Sequence, residues 1–144
     1  DSKVSTELIA DTFHVNKGVF NLVAKLKEDK LCLITDCIRA GGMPDGDYTL
    51  GGQPVHKEGI KCLMPDGTIA GSARTLLDGV KNLVSSGIPL EDVSKMASLN
   101  PAKTLGLDDE IGSISVGKFA DLVVLDKDLN VCKTFINGKC EYEG

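Results

Sequence analysis

Two short apolar runs, each leading to an ionisable side chain and separated by a helical repeat, constrain this fold more than anything else in the chain. Leu31-Cys32-Leu33-Ile34-Thr35 ends at Asp36, and Glu7-Leu8-Ile9-Ala10-Asp11-Thr12-Phe13 leads to His14. A nearly continuous apolar run of this length reads as a strand buried on both faces, as in a parallel sheet. Between the two runs, Val19, Leu22, Val23 and Leu26 recur at helical spacing, with Lys25, Lys27 and Glu28 on the other side. Strand, helix and strand within about thirty residues form a βαβ unit, so the two strands are expected to be parallel. Residues 6–10 and 12–15 are read as the first strand and its end, 17–28 as the helix and 31–36 as the second strand. In α/β folds the carboxyl ends of such strands carry the chemistry. That makes His14 and Asp36 the candidate residues. On spacing alone, Asp36 reads first as a turn or N-cap aspartate, and His14 as an ordinary packed or surface histidine.

The rest of the chain changes character twice. Residues 37–71 are rich in glycine and carry Pro44, Pro54 and Pro65. Asp45-Gly46, Gly51-Gly52 and Asp66-Gly67 are turn signals, which predicts short hairpins or a long ordered loop. Helical spacing resumes with Leu76, Val80, Leu83 and Val84 over 73–86, with Ser72 as N-cap and Gly87 as the stop. Pro89 opens a second helix through Leu90, Val93, Met96 and Ala97, and Asn100-Pro101 opens a third that ends at Gly106. From about residue 108 the pattern is β: Phe119–Leu125, then 130–136 and 139–142 flanking the hairpin signal Asn137-Gly138.

Charge and cysteine usage exclude several classes. A net charge of −5 with no clustered basic stripe argues against a nucleic-acid partner. No apolar stretch approaches the roughly 20 residues that span a bilayer. Residues 1–15 lack the compact apolar centre of a signal peptide. The five cysteines, Cys32, Cys37, Cys62, Cys132 and Cys140, are odd in number and form no Cys-x-x-Cys pair. They fit neither a disulfide framework nor a zinc ribbon, and a reducing cytoplasm is the expected compartment. Cys37 is read as a small packing residue, His56 as a solvent-exposed loop residue, and Ser72 as a cap and not a nucleophile. The chain begins at Asp1 and enters a strand almost at once, which reads as a piece of a longer protein.

Several of these segments resemble a known family. Ala10-Asp11-Thr12-Phe13-His14-Val15, Ile34-Thr35-Asp36 and Asp66-Gly67-Thr68-Ile69-Ala70-Gly71-Ser72-Ala73, in this order and spacing, resemble the carboxyl-terminal part of the N-acetylglucosamine-6-phosphate deacetylases. Met96-Ala97-Ser98-Leu99-Asn100-Pro101-Ala102 and Gly112 through Leu125 extend the resemblance over essentially the whole chain. The last of these is similar to tails found across the amidohydrolase superfamily and supports that superfamily, not a substrate.

The resemblance implies an α/β fold: the last two strand–helix units of a (β/α)8 TIM barrel in residues 1–107, and the carboxyl-terminal strands of a small β-sandwich domain in 108–144. Two parallel strands cannot close a barrel, which typically needs about 250 residues. It implies Asp36 as the catalytic carboxylate at the end of the eighth strand. It implies His14, at the end of the seventh, as a substrate-binding residue near the scissile amide. Ile69 is implied to approach the acetyl group. The sequence departs from the family at Thr12, where glycine is usual, and at Asn16, which follows the His-Val pair. A divalent metal, zinc or iron, is implied for the complete protein, but its glutamate and histidine ligands and the phosphate-gripping residues lie on strands before residue 1. The implied partner is a small-molecule amino sugar phosphate, and the complete protein is implied to be a homodimer. The competing expectations are another amidohydrolase with a different amide substrate, and a non-catalytic structural fragment.

Overall fold

The computed structural model describes residues 3–144; Asp1, where the sequence starts, lies outside the described residues. The expected βαβ unit forms. Strands β1 (Thr6–Ile9) and β2 (Leu31–Ile34) pair in parallel, Thr6 opposite Leu31 through Ile9 opposite Ile34. The first helix is shorter than its periodicity suggests. Asn16 caps a single 3-10 turn at Lys17–Val19, and α1 proper runs over Phe20–Lys27. Its buried anchor is Phe20, fully inaccessible, whereas Leu22 and Leu26 of the expected stripe are 59% and 69% exposed. Residues 12–15 are not the end of a strand. They form a bend after β1, for the reason given below.

Residues 46–72 build a four-stranded antiparallel sheet, β3 (Gly46–Leu50), β4 (Gln53–Glu58), β5 (Lys61–Leu63) and β6 (Ile69–Ser72), in sequential order. The turn signals at Gly51-Gly52 and Asp66-Gly67 fall between its strands. Lys57, buried, donates to Asp45 at 2.6 Å and ties β4 to the segment before β3. His56 lies on β4, exposed as expected, and pairs with Asp47 across the ladder at 2.7 Å.

Ser72 is not a helix cap. It is the last residue of β6 and fully buried, because the strand continues far enough to bridge Cys37. The helix α2 (Leu76–Val84) starts at Thr75, whose side chain and that of Asp78 satisfy each other's backbone amides in a capping box. Helix α3 (Leu90–Ser94) follows Pro89. It runs through one wide turn at Lys95–Leu99 straight into α4 (Asn100–Leu105), which ends on left-handed Gly106. Asn100 therefore starts no separate helix. Its buried amide instead donates to the carbonyl of Leu31 at 2.8 Å, fastening α4 to the start of β2. Leu8, Ala10, Phe20, Leu31, Leu33, Leu83, Val93 and Met96 make the core between the strand pair and the helices.

The last three strands, β7 (Leu122–Leu125), β8 (Val131–Ile136) and β9 (Lys139–Glu143), form a separate antiparallel sheet. The predicted Asn137-Gly138 turn joins β8 to β9, with φ of 50° and 79° as such a turn requires. No helix among the described residues is long and apolar enough to cross a membrane.

Candidate active site

The chain leaves β1 at buried Ala10, whose carbonyl accepts from the Asn82 amide of α2 at 2.8 Å. The next residue, Asp11, is also buried. Its Oδ1 accepts the backbone N–H groups of Phe13 at 2.9 Å and His14 at 2.8 Å. This is a side-chain-closed turn, which aspartate forms readily because its short carboxylate reaches the amides two and three residues on. The turn is why residues 12–15 are not extended. It also places Thr12 at φ 67°, a left-handed conformation that glycine adopts without strain and a β-branched residue rarely occupies. The sequence departure at Thr12 thus falls on a position whose backbone favours glycine.

The turn aims the imidazole. Asp11 Oδ2 lies 2.7 Å from His14 Nδ1, and on the other side His14 Nε2 lies 3.2 Å from Asp36 Oδ2. The Phe13 ring meets the imidazole edge-on at 5.4 Å between centroids, with Lys61 over its face. His14 and Asp36, singled out at two strand ends, are therefore brought into direct contact. Asp11 completes a chain of three titratable groups. Burial, the largest single influence on Asp11, pushes its carboxyl up. The hydrogen bonds from the His14 ring and the His14 and Phe13 amides, with the His14 charge, together outweigh it, and the group titrates below the ordinary 3.8.

Asp36 is pinned through its backbone. Its carbonyl accepts from Ser72 N at 2.9 Å, and Ile38 N donates to Ser72 O at 3.0 Å, so β6 continues the pairing where β2 ends. Thr35 Oγ1 donates to the Arg74 carbonyl at 2.6 Å and accepts from Cys37 N at 3.1 Å. Gly71 sits against this segment. A Cβ there would lie 2.5 Å from Ile38 Cγ2 and 2.9 Å from the Asp36 carbonyl oxygen, and its φ of 134° is closed to most side chains. With its backbone held and its side chain half exposed, Asp36 presents a carboxylate to solvent on one side and to His14 on the other.

The remaining sequence candidates lie outside this chain of contacts. Ile69 opens β6, 44% exposed, two residues before Gly71. Cys37 is not a packing residue: the turn after Asp36 leaves it exposed, its Sγ lying beside Gly41. Asp11 and Gly71 lie within the segments that carry the family resemblance, which by themselves assign neither a role. The signal for Asp11 was its spacing, Asp-x-x-His, which brings a carboxylate back onto the imidazole three residues on.

Among the described residues no group of three or more His, Cys, Asp and Glu side chains is assembled that could hold a metal ion. Asp11, His14 and Asp36 satisfy one another in a line and do not converge on a common point.

Comparison with known proteins adds an independent line. Residues 4–140 match the Amidohydrolase family. The chain is 40% identical over 139 residues to the N-acetylglucosamine-6-phosphate deacetylase of Vibrio furnissii, covering 95% of this chain and 35% of that protein. It is 39% identical over 140 residues to the N-acetylgalactosamine-6-phosphate deacetylase of Escherichia coli O157:H7, covering 96% and 37%. The crystal structure of the N-acetylglucosamine-6-phosphate deacetylase of Pasteurella multocida superposes with a TM-score of 0.93 at 39% identity, over 98% of this chain and 38% of that one. The chain spans 35% and 37% of the length of the first curated relatives it matches.

Proposed function

This chain belongs to the amidohydrolase family, and from that footing we propose that it is the carboxyl-terminal part of an enzyme that removes the acetyl group of N-acetylglucosamine-6-phosphate. The products are glucosamine-6-phosphate and acetate. The observation that carries the reading is the contact of His14 with Asp36 in the segments that follow two paired parallel strands. It lies in a chain that resembles such deacetylases along nearly all of its length.

In this reading β1 and β2 are the last two strands of a (β/α)8 barrel, and residues 108–144 belong to a small β-sandwich. Asp36 is the catalytic residue. Its carboxylate takes a proton from the attacking water as the water oxygen bonds to the acetyl carbon. As the carbon–nitrogen bond breaks, the same group returns the proton to the leaving amine. A carboxylate suits both halves because it accepts in one and donates in the other, and Asp36 is open enough to reach a substrate. His14 is the substrate-binding residue beside it, and Ile69 meets the acetyl methyl. The divalent metal expected of the complete protein, zinc or iron, takes its ligands from outside this chain. The chain's own contribution is proton handling and substrate contact. The complete protein is proposed to be a cytoplasmic homodimer.

The test is an assay of the complete protein. Asp36→Asn is expected to lower kcat by about 10²- to 10⁴-fold, the usual contribution of a positioned acid–base group, with the fold intact by circular dichroism. Near-wild-type turnover would remove Asp36 from the mechanism. A second substrate, N-acetylgalactosamine-6-phosphate, is favoured by one observation: a relative named for it is as similar to this chain as those named for the glucosamine isomer. Comparing kcat/KM for the two sugar phosphates decides between them.

A further inference from the structure

The chain of contacts contains one group that the proposed reaction does not use. Asp11 is buried at the root of the turn, and among the described residues its side-chain hydrogen bonds go to His14 and Phe13. A carboxylate that already accepts two amides with one oxygen can only accept with the other, so the imidazole must donate from Nδ1. Nε2 is then the atom whose protonation is free to change, and it faces Asp36 Oδ2 at 3.2 Å.

We propose that Asp11 is a positioning residue that keeps Nδ1 of His14 protonated throughout, so that Nε2 is the one ring nitrogen left to exchange a proton with Asp36 Oδ2. The consequence for turnover rests on the reading of Asp36 given above. A proton taken from the attacking water by Asp36 is shared with Nε2 and passes back through Oδ2 to the amine. Over one turnover the pair takes up one proton from water and gives one up to the amine. The arrangement also decides between two roles open to His14. While neutral, its Nε2 accepts and cannot donate to a developing oxyanion. It therefore serves Asp36 or a sugar hydroxyl.

The discriminating variant is Asp11→Asn. Its amide oxygen can still accept from the Phe13 and His14 amides, so the turn is kept. Its NH₂ then faces Nδ1 and drives the ring to the opposite tautomer, with hydrogen on Nε2. Inverting a tautomer in this way is known to cost up to about 10⁴-fold in a comparable Asp–His pair.

Imidazole nitrogen chemical shifts in the complete ¹⁵N-histidine-labelled protein, with His14 assigned by a His14→Gln difference spectrum, should show Nδ1–H in the wild type. The Asp11→Asn variant should show Nε2–H. Its kcat on N-acetylglucosamine-6-phosphate should fall at least about ten-fold, with KM changed less than about three-fold. A wild-type His14 carrying its hydrogen only on Nε2 overturns the proposal whether or not the variant folds. So does a variant with the tautomer inverted and kcat unchanged. If the wild type shows Nδ1–H and Asp11→Asn inverts it, but the complete protein hydrolyses neither sugar phosphate, the deacetylase reading fails and the assignment of the proton to Nδ1 stands.

Discussion

At the scale of single residues, the site is a set of local compromises around Asp11. Its carboxylate titrates below 3.8 because the His14 and Phe13 bonds outweigh its burial. A folded-state value below the unfolded one means that ionised Asp11 stabilises the fold above the unfolded pKa. That contribution is lost as pH falls through the folded value. Asp11→Asn should therefore flatten the acid side of the stability profile below about pH 4 and leave the slope above pH 5 unchanged, as read by urea unfolding at several pH values. Thr12 shows the opposite balance. A left-handed conformation costs an ordinary residue about 1–2 kcal/mol, while glycine gives back about 0.5–1 kcal/mol in unfolded-chain entropy. The β-branch puts Thr12 at the upper end of the first range. Thr12→Gly is therefore expected to stabilise the protein, by about 1–1.5 kcal/mol, raising the urea midpoint without changing the m-value. A lower midpoint would mean that the threonine side chain makes a contact worth more than the strain at φ 67°.

At the scale of elements, strands and helices are fastened to one another by buried amides as much as by apolar packing. Asn100 is the clearest case: it lies 2% exposed where the wide turn meets α4, and its side-chain amide donates to the Leu31 carbonyl. Removing it strands a buried acceptor, which costs about 1–3 kcal/mol. Asn100→Ala should show that loss in chemical denaturation, while Asn100→Asp should not restore it, because a carboxylate cannot donate. This is also where sequence and structure part company. The parallel pair, the meander and the final hairpin were legible because periodicity and turn residues are local signals: Leu31–Ile34 announces a buried strand wherever it lies. Asn100 read as a helix start because asparagine before proline caps helices. What overrode that reading was a partner 69 residues away, which no local pattern encodes. Ser72 failed in the same way, its strand extended by a bridge to Cys37. Of the site, two of the three linked groups were visible as polar ends of apolar runs. Asp11 was hidden because its function is set by a turn, and the turn by the very side chain in question.

At the scale of the whole molecule, the apolar surface and the site make the same point. Leu22 and Leu26 on α1 are largely exposed, and a groove of about 830 Å³ between the helices and the last sheet is lined by Leu76, Leu90, Phe119, Leu122, Val123 and Leu125. Burying an aliphatic side chain is worth about 1.5–3 kcal/mol, so faces of this kind are stable only when covered. A pair of parallel strands has no closed partner of its own, and an unpaired strand edge beside exposed leucines invites association. The first curated relatives this chain matches are nearly three times its length, since it covers 35% and 37% of them. The remainder of such a protein is the natural cover for these surfaces. In the proposed reading it also supplies the metal ligands. Two outcomes are therefore expected of residues 1–144 expressed alone. Light scattering should find them self-associated in a concentration-dependent way. Elemental analysis after dialysis should find no stoichiometric zinc or iron, and no deacetylase activity should accompany them. A monomeric segment carrying one tightly held metal ion per chain would show instead that Asp11, His14 and Asp36 can be rearranged into a centre of their own, and the division of labour between proton handling here and metal binding elsewhere would have to be abandoned.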